Sequence, residues 1–109
     1  MNRGFLLLIF KFLLIKISSM PKYLIEREWP VEGLKSQDEL RNMALQSCEV
    51  LSNMQTKVYW VHSYVTDTKL YCVYIAPDED ALLEHASFGG FSAKKISVIK
   101  QIIDPVTAE

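Results

Sequence analysis

Lys57–Ala76, KVYWVHSYVTDTKLYCVYIA, carries two runs of β-branched and aromatic residues around a short polar break, Thr66-Asp67-Thr68-Lys69. Side chains of this kind pack well on a pleated surface, so Lys57–Val65 and Leu70–Ala76 are expected to be strands. So short a connection makes the pair a hairpin, and therefore antiparallel. Upstream, Ser36-Gln37-Asp38-Glu39 reads as a capping box, with the Ser36 hydroxyl accepting from the Glu39 N–H. Leu40, Met43, Ala44, Ser47, Cys48, Leu51 and Met54 then recur at helical spacing. They predict a helix from Gln37 to Asn53 with Cys48 and the methionines in the core. Before it, Lys22–Glu28 alternates: Tyr23, Ile25 and Arg27 share one face, and Leu24, Glu26 and Glu28 the other. That half-buried strand is expected to end at Trp29-Pro30 and the turn at Gly33.

Downstream of the hairpin, Pro77 stops the strand and pre-sets φ for a helix start. Asp78, Glu79 and Asp80 place negative charge in the first turn, where the helix dipole favours it. Leu82, His85, Ala86 and Phe88 follow, and Gly89-Gly90 is a glycine C-cap. A final strand is expected from Lys95 to Ile103, ending at Asp104-Pro105. The order strand, helix, strand, strand, helix, strand folds through right-handed crossovers into an α+β, ferredoxin-like domain. Its four-stranded antiparallel sheet has both helices on one face. The other face is left bare and partly aromatic. A two-fold homodimer is the economical way to cover it, because a self-complementary patch closes on itself.

Of the 109 residues, 50% are hydrophobic and 23% charged, which suits a folded globular chain. The net charge of −1 supplies no basic field, so nucleic acid is excluded as a partner. Cys48 and Cys72 are expected to be reduced thiols, since one falls in a helix and the other mid-strand.

Met1–Ser19, MNRGFLLLIFKFLLIKISS, is a hydrophobic extension preceding a domain at 20–109. It is too short for a membrane span, and Lys11 and Lys16 interrupt it. Three readings stand: a start-site artefact, with Met20 the true start; an export signal with a poor cleavage site; or an interfacial anchor whose lysines snorkel. The first implies a cytoplasmic protein. Under the others it is exported or membrane-anchored through residues 1–19.

The groups that could carry chemistry are Trp60, His62, Ser63, Tyr64, Cys72, Tyr74 and His85, with Glu26 on a neighbouring strand. Imidazole, thiolate and carboxylate ligate transition metals. The sequence has no C-x-x-C or H-E-x-x-H motif, so spacing alone names no site. Hairpin register decides which groups meet. With an even loop, Ser63 and Cys72 face the same way and His62 joins Tyr71 and Val73. With an odd loop, His62, Tyr64 and Cys72 share a face. Both remain open at this level.

The string WVHSYVTDTKLYCVYIAPDEDALLEHASFGGFSA (Trp60–Ala93), with PKYLIERE (Pro21–Glu28) before it and IDPVTAE (Ile103–Glu109) after, closely resembles a family of short bacterial domains. Most members have no known function, and some are nickel-binding proteins. The match spans Met20–Glu109 and none of the extension. The resemblance implies a ferredoxin-like fold, a dimer and a bound divalent metal. It carries over to His62 and Ser63, Cys72, and His85. Ser92 stands where the family commonly has proline after G-G-F, which alters the rigidity of that loop. The leading expectation is a dimeric nickel-binding protein without established catalysis, using His62, Cys72, His85 and Glu26. The alternative is a small enzyme acting on an apolar molecule in a cavity walled by Trp60, Ser63, Tyr64 and Tyr74. In that case His62 or His85 is the acid–base group and Tyr64 the orienting donor. A plain interaction module predicts neither metal nor cavity.

Overall fold

A computed structural model of the chain describes Gly4, residues 20–28 and residues 36–109. Apart from Gly4, the expectations for the Met1–Ser19 extension lie outside the described residues, as do those for the turn at Trp29-Pro30 and Gly33. Strand β1 (Lys22–Glu28) is followed by helix α1 (Gln37–Asn53), strands β2 (Tyr59–Val65) and β3 (Lys69–Ile75), helix α2 (Glu79–Gly89) and strand β4 (Lys95–Ile99). A 3₁₀ turn, Pro105–Ala108, comes last. The sheet order is β2-β3-β1-β4 with every pair antiparallel, which is the ferredoxin-like arrangement.

Local chemistry accounts for the boundaries. Ser36 caps α1, its hydroxyl accepting from the Glu39 N–H at 3.2 Å. Asp78 caps α2 through the Ala81 N–H at 2.9 Å, so that helix begins at Glu79, past Pro77. Gly90 closes it in the left-handed region at φ 68°, a conformation glycine adopts without a Cβ penalty. In the hairpin, Thr66 and Lys69 pair around a two-residue turn. The Thr66 N–H donates to the Lys69 carbonyl at 2.9 Å, and the Lys69 N–H donates to Thr66 Oγ1 at 2.9 Å.

The last strand is shorter than its composition suggests. β4 ends at Ile99 instead of Ile103 because its partner among the described residues ends there: Ile99 pairs with Lys22, the first residue of β1, and Pro21 beyond it has no N–H to offer a ladder. Cys48 is a second correction. It is exposed, whereas the inward stripe of α1 runs through Ser47, buried beside it. One residue along a helix is a rotation of about 100°, enough to turn Cys48 outward. Met54 is core as expected. Both cysteines are free.

The core lies between the helices and one sheet face. It holds Tyr23 and Ile25 of β1, Cys72 and Tyr74 of β3, and Leu82 of α2, with Met54 and Val58 closing one end. Ile25 and Leu82 are completely buried. Leu82→Ala is therefore expected to cost about 2–5 kcal/mol in urea unfolding. Leu83→Ala, at its 48% exposed neighbour, should stay within about 0.5 kcal/mol.

Candidate functional site

The register of β2 on β3 sorts the candidate residues onto two faces. Val65 pairs with Leu70, Tyr64 with Tyr71, Ser63 with Cys72 and His62 with Val73. The pairing then slips at Val61, and Trp60 opposes Tyr74. This is a β-bulge, one extra residue that turns the strand and restores Trp60 to the inner face. The helix-covered face thus carries Arg27, Trp60, Ser63, Cys72 and Tyr74. The face that neither α1 nor α2 covers carries Glu26, His62 and Tyr64.

On the uncovered face, His62 Nε2 and the Tyr64 hydroxyl lie 3.0 Å apart, with their rings edge to face at 4.9 Å. Both residues are exposed, as are their neighbours Tyr59 and Val61. Glu26 sits two strands away and is ion-paired with Lys69. That hydrogen bond and charge hold its carboxyl below the ordinary 4.5 against a smaller desolvation effect, and raise Lys69 in turn.

Under the helices the geometry is different. A cavity of about 590 Å³ lies between the inner stripe of α1 and the sheet. Trp60, Ser63, Cys72 and Tyr74 line it together with Arg27, Ser47 and Phe91. Trp60 Nε1 donates to the Ser63 hydroxyl at 2.9 Å. Burial, and secondarily Cys72, raises the Tyr74 phenol above its ordinary 10.0, while the adjacent Arg27 and Ser47 pull the other way.

Arg27 is 5% exposed. Its Nη1 donates to the Ser92 carbonyl, and the Phe91 ring lies 5.5 Å from the guanidinium carbon. Phe91 also packs at 5.3 Å on His85, whose other neighbour is Tyr74. Gly89 makes room for this, since a Cβ there would collide with the Phe91 ring. His85 is wholly buried, 3.4 Å from the Ser47 hydroxyl through Nε2, and its Nδ1 has no partner. Burial, followed by repulsion from Arg27, lowers its pKa from 6.5 to about 4. The imidazole is neutral at pH 7.

The structure therefore does not bring His62, Cys72, His85 and Glu26 together in one chain. His62 and Glu26 are on one side of the sheet, Cys72 and His85 on the other. Among the described residues no group of three or more His, Cys, Asp or Glu side chains could hold a metal ion. Of the four residues expected to wall a cavity, Trp60, Ser63 and Tyr74 line it and Tyr64 stands on the opposite face. Neither histidine lines it. Sequence reasoning missed Arg27, although its phase with Tyr23 and Ile25 carried the signal. Ser47 was in the helical stripe but not recognised as part of a site.

A family model described as nickel responsive protein, SCO4226-like, matches residues 23–99. The chain belongs to this family. Among solved structures, the family's SCO4226 from Streptomyces coelicolor A3(2) matches with a TM-score of 0.64. The match covers 75% of this chain and 99% of that one at 14% identity, so the likeness is one of fold. No curated protein matches the chain. No helix among the described residues is long and apolar enough to cross a membrane.

Protonation of His85 predicts a pH effect on stability. Its folded pKa lies below the unfolded value, so the unfolded chain binds the extra proton between about pH 6.5 and pH 4. Stability should fall as pH drops through that window, by up to about 1.4 kcal/mol per pH unit. Urea unfolding at pH 7 and pH 5 should show this loss in the native chain and a smaller one in His85→Gln.

Proposed function

We propose that the chain is a dimeric nickel-binding protein whose metal site forms where the uncovered sheet faces of two copies meet. The observation that carries this reading is the placement of His62. It is an exposed imidazole beside the apolar side chains of Tyr59, Val61 and Tyr64, on the sheet face that neither α1 nor α2 covers. Membership in a family named for its nickel response supports the choice of metal. The described residues of one chain bring no three ligating side chains together on that face. A two-fold axis doubles every donor near it, and imidazole suits Ni²⁺. Glu26 shares the face but is engaged by Lys69, which makes it an outer participant at most.

A catalytic alternative draws support from the cavity, which exceeds the roughly 300 Å³ at which small-molecule sites begin. Neither of the histidines expected to act as its acid–base group, His62 or His85, lines that space. The metal reading is therefore preferred.

Calorimetry with NiCl₂ on the untagged chain, paired with sedimentation, tests it. Ni²⁺ should bind to a dimer, His62→Ala should abolish binding, and Cys72→Ala should leave it intact. Binding that survives His62→Ala, or that disappears with Cys72→Ala in a folded protein, would reject the proposed site.

A further inference from the structure

Arg27 poses an electrostatic problem that nothing in the nickel reading solves. Its guanidinium is buried within the domain, with Nη1 on the Ser92 carbonyl and a ring face alongside, while Nη2 has no hydrogen-bond partner. The acids flanking it in β1 are engaged elsewhere: Glu26 with Lys69 and Glu28 with Lys94. No salt bridge to Arg27 occurs among the described residues. Burying a cation without a counter-charge is unfavourable. Guanidinium groups are also the side chains best shaped to take a carboxylate through paired N–H donors.

The cavity that Arg27 lines has the form of a ligand site. Its volume of about 590 Å³ falls in the range of small-molecule pockets, and Leu40, Met43, Trp60 and Leu70 give it mainly apolar walls. Besides Arg27, Ser63 and Tyr74 bring polar groups to its wall. The Ser63 oxygen already accepts from Trp60, so its own proton is available to donate into the cavity. Tyr74 stays protonated at neutral pH, its hydroxyl lying beside Arg27 and Ser47. Glu28 also lines the space, which disfavours multiply charged anions such as phosphate.

We propose that this cavity binds a small monocarboxylic acid with an apolar body, its carboxylate set against Arg27 and its hydrocarbon between Met43, Trp60 and Leu70. The site lies on the opposite side of the sheet from His62 and is independent of the metal reading. A single cation among donors and hydrocarbon selects one negative charge and a greasy tail. A neutral analogue of the same length fills the same space but leaves the guanidinium unpaired.

Calorimetry on the full, metal-free chain with octanoate and 1-octanol tests this without any mutation. Octanoate should bind about tenfold or more tightly than 1-octanol, the difference expected of a hydrogen bond to a charged group. Arg27→Gln should bring the two ligands within about twofold of each other. Should that variant fail to fold, the comparison in the native chain still decides, and Ala44→Trp, which fills the cavity from α1, should abolish binding of both. Equal affinity of acid and alcohol in the native chain overturns the proposal, as does absence of octanoate binding or an acid preference surviving in folded Arg27→Gln. Octanoate binding that requires added Ni²⁺ also overturns it, because the carboxylate would then sit on the metal.

Discussion

The two-residue turn at Asp67-Thr68 sets the register on which the rest of this domain depends. With Thr66 held to Lys69 by backbone and hydroxyl hydrogen bonds, Ser63 must oppose Cys72 and His62 must oppose Val73. Because strand side chains alternate, a slip of one residue would exchange the two faces of β2. His62 would turn into the core and Ser63 out of it. The bulge at Val61 then reverses the phase once more, so Trp60 lies inside with Ser63 despite their odd spacing. Their hydrogen bond spans the bulge and ties the two residues together.

A second constraint follows from placing a charge under the helices. Arg27 occupies the inward phase of β1, and the segment after α2 is arranged around it. Gly90 turns the chain out of the helix, Phe91 lies over the guanidinium, and the Ser92 carbonyl accepts from Nη1. The same Phe91 ring packs on His85, so the histidine is held neutral by burial and by the nearby cation. The group of Ser92 in use is its backbone carbonyl, which does not depend on the side chain.

Much of the fold was legible in the residues, for reasons that can be named. The alternation of Lys22–Glu28 and the stripe from Leu40 to Met54 gave β1 and α1 at their observed bounds, because amphipathic periodicity is set by burial itself. β4 was read too long because Lys100–Ile103 has strand composition but pairs with no strand among the described residues. The candidate site was less legible. Hairpin register lies in the geometry of the turn and the bulge, and neither leaves a compositional trace at His62 or Cys72. Arg27 was placed correctly on the face of Tyr23 and Ile25 without its consequence being drawn, since an inward charge has meaning only once its neighbours are known.

The two faces differ in what they present: an exposed imidazole among apolar side chains on one, and a half-open cavity with a buried cation on the other. Both assignments require His62 outside and Ser63 inside. Cross-strand amide and α-proton Overhauser contacts in the isotopically labelled chain measure that directly. Contacts linking Ser63 with Cys72 and His62 with Val73 are the predicted result. Contacts placing His62 opposite Cys72 would contradict the account and invert both faces of the site.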